Sequence, residues 1–242
     1  MISSLITTFT AVWLFFVRCR LLVFFSCAFT VAPLLNAEPD VVEGKRNILV
    51  VGDSLSAAYN LAVESGWVTL LEQRLATTPA YSDYVVFNAS AGGATTAAGL
   101  QRLPSLVQQY RPYLMILELG ANDGLQGKPV PYITSNLQKM IDIALAAKAK
   151  VLLVGTRLPP NLGARYTGPF FDQYSHLAEY NRVALVPFIL DGVAGNSELM
   201  QADGLHPTAA GQPIVLQNIW SSFRGVAVNF RSLSLYSGAN SE

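Results

Sequence analysis

Cysteine is nearly missing from this chain of 242 residues: there are two, Cys19 and Cys27, and both fall within the first 37 positions. The rest of the chain therefore has no disulfide framework, no cysteine nucleophile and no thiolate zinc site. Histidine is almost as scarce, with His176 and His206 the whole supply, so any imidazole base must be one of these two. Charged residues are also few, at 13% of the chain, with 16 basic against 16 acidic. That balance gives no basic footprint for nucleic acid, and no nucleic-acid partner is expected. Repeats and low-complexity tracts are lacking too, which leaves one domain of ordinary size plus a leader.

The leader takes residues 1–37, which contain no acidic residue. Arg18 and Arg20 precede an apolar run from Leu21 to Ala32, and Leu35-Asn36-Ala37 has the small residues of a signal-peptidase site. The reading is an export signal cleaved after Ala37, which places the mature protein in the periplasm or outside the cell. Retention of residues 1–37 as a membrane anchor is the alternative. A second apolar run, Leu5 to Val17, lies upstream, and neither run reaches the roughly 18 uninterrupted apolar residues of a spanning helix. Phe24-Phe25-Ser26 before Cys27 is a poor lipidation site. Without Arg18 and Arg20, 14 basic residues face 16 acidic ones, a formal net charge of −2.

What is present after residue 47 is an alternation of short β-branched runs and longer amphipathic stretches. Strands are predicted over Ile48 to Val51, Tyr84 to Asn88, Leu114 to Leu119, Lys150 to Val154 and Ala184 to Pro187. Helical periodicity is clearest over Thr134 to Ala147 and Glu64 to Leu75. This order predicts an α/β domain, a three-layer α/β/α sandwich around a flavodoxin-like parallel five-stranded sheet. Strands without a polar face fit a sheet covered on both sides. Residues 38–46 read as a linker, 47–224 as the domain and 225–242 as a tail, partly disordered or forming a short extra strand.

A site in such a sheet draws on segments that follow several strands. Ser54, in Gly52-Asp53-Ser54-Leu55, follows the first strand. Gly93 stands in a loop of small residues after the second, where a tight turn is the simpler reading and a backbone N–H offered to substrate the functional one. Asn122, in Gly120-Ala121-Asn122-Asp123-Gly124, follows the third, where an amide can stabilise developing negative charge; Asp123 has a capping role available to it. The Pro, Gly and Arg-rich stretch Thr156 to Gly168, followed by Phe170 and Phe171, reads either as a wall of a binding site or as a surface excursion. After the fifth comes Asp203-Gly204-Leu205-His206-Pro207, in which Asp203 can reach the imidazole and leave Nε2 free to take a proton from Ser54. His176 lies in a mixed helical stretch and reads as a surface or interhelix residue.

These four blocks, in this order, resemble the SGNH hydrolase superfamily, the GDSL esterases and lipases, over nearly all of residues 47–222. Gly-Asp-Ser-Leu-Ser-Ala (52–57), Leu-Gly-Ala-Asn-Asp-Gly-Leu (119–125) and Arg157-Leu158-Pro159-Pro160-Asn161 are most similar to the exported bacterial group described as thioesterase I, arylesterase and lysophospholipase. The resemblance implies a serine esterase acting on carboxylic esters and thioesters, with Ser54 as nucleophile, His206 as base and then acid, and Asp203 as its orienting partner. It implies an oxyanion hole from the Ser54 and Gly93 N–H groups and the Asn122 side chain. Ala58 and Ala94 depart from it, standing where some members have glycine and a polar residue. A Gly-x-Ser-x-Gly elbow is lacking, which argues against the α/β-hydrolase route to the same chemistry.

Substrate contacts are expected from Asp53, Leu55, Arg157, Pro159, Tyr166 and Phe170, with small residues at 91–99 leaving room beside the nucleophile. That set favours medium to long acyl chains over acetyl groups. The partner is a small-molecule acyl ester or thioester, with transient contact with membrane lipid; the chain is read as a monomer that needs no cofactor or metal. The competing readings are an exported carbohydrate or envelope deacetylase and a lipid-binding protein without turnover.

Overall fold

Runs of aliphatic and β-branched residues form five parallel strands: β1 Arg46–Gly52, β2 Tyr84–Asn88, β3 Leu114–Glu118, β4 Lys150–Val154 and β5 Ala184–Val186. The sheet order is β2-β1-β3-β4-β5, all parallel. The structure is a computed structural model that describes residues 44–228. The readings of an export leader (1–37) and of an extra strand or disorder over 229–242 lie outside the described residues. Strand β1 begins at Arg46, inside the stretch read as linker, because the Arg46 N–H donates to the Asp83 carbonyl at 2.7 Å and extends the ladder.

The helices are α1 Trp67–Thr77, α2 Thr96–Tyr110, α3 Ala121–Leu125, α4 Val130–Ala146, α5 Ala164–Asn181 and α6 Gln212–Val228. Alternate residues of each central strand face opposite layers, as period-2 geometry requires. Ile48, Val50, Leu114, Ile116, Leu152 and Val154 pack with Trp67, Leu71 and Leu75 of α1 and with Val215, Ile219 and Phe223 of α6. Leu49, Val51, Met115, Leu117, Val151 and Leu153 pack with Leu103 of α2, Leu137 and Met140 of α4, and Phe170 and Tyr174 of α5. Full burial of each such side chain contributes roughly 1.5–3 kcal/mol. Loss of either layer would leave one face of the sheet in water.

Several boundaries depart from the periodicity, helix α4 among them, which starts at Val130 rather than Thr134. Helix α1 starts at Trp67, after a separate 3₁₀ turn at Val63–Ser65, since Gly66 is extended where the chain passes Ala58; a Cβ there would meet the Ala58 Cβ at 2.8 Å. Helix α5 starts at Ala164, inside the stretch read as loop, because Gly163 turns the chain with a φ of 83°. Helix α6 runs through Gly225 to Val228, so the start of the expected tail is helical, and Ala227 is buried against the sheet.

Candidate active site

The strand order changes direction at β1, which lies between β2 and β3, and loops diverging at such a point leave a crevice at the carboxyl edge of the sheet. Register pairs Val50 with Asn88 and Gly52 with Glu118, so the segments after β1, β2 and β3 emerge side by side. Ser54 follows β1 directly. Its Oγ lies 2.7 Å from His206 Nε2, and His206 Nδ1 lies 2.7 Å from Asp203 Oδ2.

Local geometry holds that line. The other Asp203 oxygen, Oδ1, accepts the N–H groups of Leu205 and His206 at 2.9 and 3.1 Å, fixing the short loop between the two side chains. Slight burial pushes the Asp203 carboxyl up, but the His206 hydrogen bond and the two backbone N–H groups outweigh it and hold the group below its ordinary value. An ionised Asp203 fixes the imidazole proton on Nδ1 and leaves Nε2 facing the serine. Tyr59 packs against the imidazole with ring centroids 4.3 Å apart and the ring planes tilted by 34°. No pattern in the sequence points to that contact, which depends on the tight turn at Ala58 and Asn60, both at a φ of 55°.

The donors expected to receive negative charge differ in how they are engaged. Among the described residues neither the Ser54 nor the Gly93 backbone N–H has an intramolecular acceptor. Gly93 has a φ of 72° and open space where a Cβ would be. The Asn122 amide donates to Asp53 Oδ2 and to the Ala94 carbonyl, each at 3.1 Å. It thus ties together the loops after β1, β2 and β3. Asp123 is occupied elsewhere, since its carboxylate accepts the Thr96 N–H and hydroxyl at 2.7 and 2.8 Å and anchors the start of α2.

A cavity of about 640 Å³ opens beside Ser54 and His206. Leu55, Arg157 and Pro159 line it. Asp53 reaches its floor, but at 1% exposure and with both carboxylate oxygens accepting N–H groups it has no free edge for substrate. Tyr166 and Phe170 are corrections. Phe170 is fully buried on the core face of α5, and the Tyr166 hydroxyl donates to the Lys128 carbonyl at 2.6 Å; neither lines the cavity. Gly92 and Gly93 have open space where a Cβ would be. The cavity extends toward the segment after β5, where Phe188, Leu190, Met200 and Leu205 complete an apolar wall. The apolar run Pro187-Phe188-Ile189-Leu190, continuing past a strand's carboxyl end, is the signal that points there. His176 is exposed on α5, away from this site.

Among the described residues no cluster of three or more His, Asp or Glu side chains could hold a metal ion, and no helix is long and apolar enough to cross a membrane.

A parallel five-stranded α/β/α sheet with a Ser–His–Asp line across its carboxyl edge defines the class, a hydrolase fold equipped for acyl transfer. The chain belongs to the GDSL-like lipase/acylhydrolase family, whose model matches residues 50–214. It is 49% identical over 179 residues to esterase TesA of Pseudomonas aeruginosa, covering 74% of this chain and 88% of that one. It is 38% identical over 168 residues to thioesterase 1/protease 1/lysophospholipase L1 of Escherichia coli, covering 69% and 78%. Among solved structures, the psychrotrophic esterase EstA from Pseudoalteromonas, inhibited by monoethylphosphonate, superposes with a TM-score of 0.72 at 39% identity, covering 76% of this chain and all of that one.

Proposed function

We propose that this carboxylic ester hydrolase is a serine enzyme that cleaves esters and thioesters of medium to long acyl chains through an acyl-serine intermediate. The observation that carries the reading is the continuous hydrogen-bonded line from Ser54 Oγ through His206 to Asp203, with 2.7 Å at each step. In this scheme His206 Nε2 takes the Ser54 proton as Oγ attacks the carbonyl carbon, and Asp203 stabilises the imidazolium that forms. The carbonyl oxygen, now negative, is received by the Ser54 and Gly93 N–H groups and by the Asn122 amide. The imidazolium gives its proton to a departing alcohol, or assists a departing thiolate. Water, deprotonated by the same imidazole, then releases the acid and frees Ser54. Inhibition of the EstA relative by a phosphonate is the behaviour of an activated serine and supports the scheme.

The apolar cavity wall supports acyl chains longer than acetyl, and the Arg157 guanidinium at its rim suits a substrate with a polar head. Residues 1–37 are proposed to direct export and to be removed after Ala37, so that the substrates are lipid-like esters met outside the cytoplasm. One experiment covers both parts: the protein is recovered from its native cell, its N-terminal residue is read, and its hydrolysis of p-nitrophenyl esters from acetate to palmitate is compared with that of Ser54→Ala and His206→Ala. An N-terminus at Glu38, an optimum beyond acetate and loss of turnover in both variants are expected. An intact leader overturns the cleavage, an acetate optimum overturns the acyl-chain reading, and unchanged turnover in Ser54→Ala overturns the mechanism.

A further inference from the structure

Behind the nucleophile's turn lie two carboxyls that the acyl-transfer scheme leaves unused. Glu118 ends β3, is 1% exposed and is the only charged residue in that strand. Its Oε2 accepts the Ser56 hydroxyl at 2.8 Å and the Asp53 backbone N–H at 3.2 Å, while its buried Oε1 has no partner among the described residues. Strand β1 is cut to fit this group: a Cβ on Gly52 would stand 2.6 Å from Ser56 Oγ and 2.8 Å from Glu118 Oε2. Asp53, the next residue, is equally buried, and both its oxygens are engaged. Oδ1 accepts the Leu55 N–H at 3.0 Å, and Oδ2 accepts the Asn122 amide at 3.1 Å.

We propose that Glu118 and Asp53 share one proton, held on Glu118, and act as positioning residues: neutral Glu118 clamps the turn that carries Ser54, while anionic Asp53 aims the Asn122 amide. The proposal rests on the roles given above to Ser54 and Asn122.

The chemistry of the two sites assigns the proton. Two ionised carboxylates buried in contact repel one another, so one must stay neutral. Asp53 has an N–H donor on each oxygen, the arrangement that suits an anion. Glu118 as an anion would leave Oε1 as a buried charge without a donor, far more costly than an unpaired neutral group. The groups facing the pair agree. His206, from the loop after β5, favours the charged form of Asp53 only when its imidazole is protonated, and the buried Tyr174 of α5, whose hydroxyl donates to the Leu119 carbonyl at 3.0 Å, brings no positive charge to Glu118. Burial pushes both carboxyls up, Asp53 to about 6 and Glu118 well above its ordinary value, where the Asp53 charge adds to the effect of burial.

Glu118→Gln mimics the neutral acid: one amide oxygen still accepts from Ser56 and Asp53, and the NH₂ stands in for the O–H. Asp53→Asn cannot serve, because one oxygen cannot accept from both Leu55 and Asn122, and the NH₂ then opposes another donor. Steady-state kinetics from pH 6 to 9, with Tm measured on each variant, tests the assignment. Glu118→Gln should keep kcat within about threefold of wild type, whereas Asp53→Asn should lower kcat by roughly a hundredfold with KM little changed, the size of effect that misplacing an oxyanion donor produces. A Glu118→Gln variant that folds yet falls as far as Asp53→Asn overturns the proposal, as does an Asp53→Asn variant with wild-type kcat. If either variant fails to fold, the wild-type infrared spectrum at neutral pH decides: the carbonyl band of a buried protonated acid supports the assignment, and its absence overturns it. Failure of the underlying serine mechanism is told apart by wild type itself, which would then lack turnover and would not be labelled at Ser54 by a fluorophosphonate.

Discussion

Asn122 is the residue on which the site's geometry and its chemistry meet. Its two amide hydrogens are held by Asp53 Oδ2 and the Ala94 carbonyl at 3.1 Å, on the long side for an N–H···O bond. Charge developing beside Ser54 can therefore draw one of them away at small expense. Asn122→Ala should lower kcat roughly a hundredfold or more while KM changes little, because the contact strengthens only as the charge forms. Single-turnover kinetics on an activated ester would check it; a raised KM at unchanged kcat would make Asn122 a binding residue instead. At this scale the sequence is informative wherever a polar residue stands in the short segment past a strand's carboxyl end, as do Ser54 and Asn122. It is informative too for Asp203 and His206, whose spacing within one short loop brings the carboxylate to the imidazole. Glu118 is missing from the residues expected at the site although Leu-Met-Ile-Leu-Glu carries a signal, since a lone carboxyl in a fully apolar strand must be neutralised or paired. Tyr59 has no such signal, because a turn with two residues at positive φ brings it onto His206.

At the scale of elements, strands are legible because both faces of the sheet are covered, so their apolar runs are continuous and end sharply. Helix starts are not, because long-range packing decides them: Gly66 passes Ala58, and Gly163 turns the chain ahead of Ala164. The misplacement of Phe170 has a related cause. Proximity to a Pro and Gly-rich loop suggests a groove, yet Phe170, Tyr174 and Leu177 recur at helical spacing and pack together on the core face of α5. The end of α4 carries a defect that a substitution can remove. Lys148 is exposed and sits just past the helix at a φ of 63°, while the Ala149 N–H donates to the Ala144 carbonyl in a closing turn. A left-handed backbone at a residue with a Cβ costs about 1–2 kcal/mol, and glycine's extra freedom in the unfolded chain returns about half of that. Lys148→Gly should therefore stabilise the domain by about 0.5–1 kcal/mol, raising Tm by roughly 2 °C at this size. Thermal unfolding followed by circular dichroism would check it, and an unchanged or lower Tm would show that the lysine makes a compensating contact.

For the whole molecule, the carboxyls at the sheet's edge set how stability follows pH. Asp53 and Glu118 have ordinary values of 3.8 and 4.5 and are raised on folding, to about 6 and well above 4.5, by burial first and then, for Glu118, by the neighbouring charge. The folded protein thus keeps protons that the unfolded chain has released. Their contribution to stability is complete below about pH 4 and is lost as pH rises through the folded values. Asp203 runs the other way, lowered from 3.8 because its hydrogen bonds outweigh slight burial, so its contribution is present above that value and is lost as pH falls through the folded one. With its side chain 37% exposed, Asp203 is well screened, and the buried pair dominates. Tm should therefore be highest near pH 4 and should decline from there toward pH 8, with the folding equilibrium shifting by up to about tenfold per pH unit for each proton retained. Activity should run against stability over the same range, since Asp53 must be ionised to aim Asn122. The fold is most stable in the protonation state that works least well, because two carboxyls have been drawn under the nucleophile to hold it. Differential scanning calorimetry across the range decides the point: Glu118→Gln should flatten the decline, and a Tm that climbs steadily from pH 5 to 8 in wild type would show that Glu118 is ionised in the folded protein.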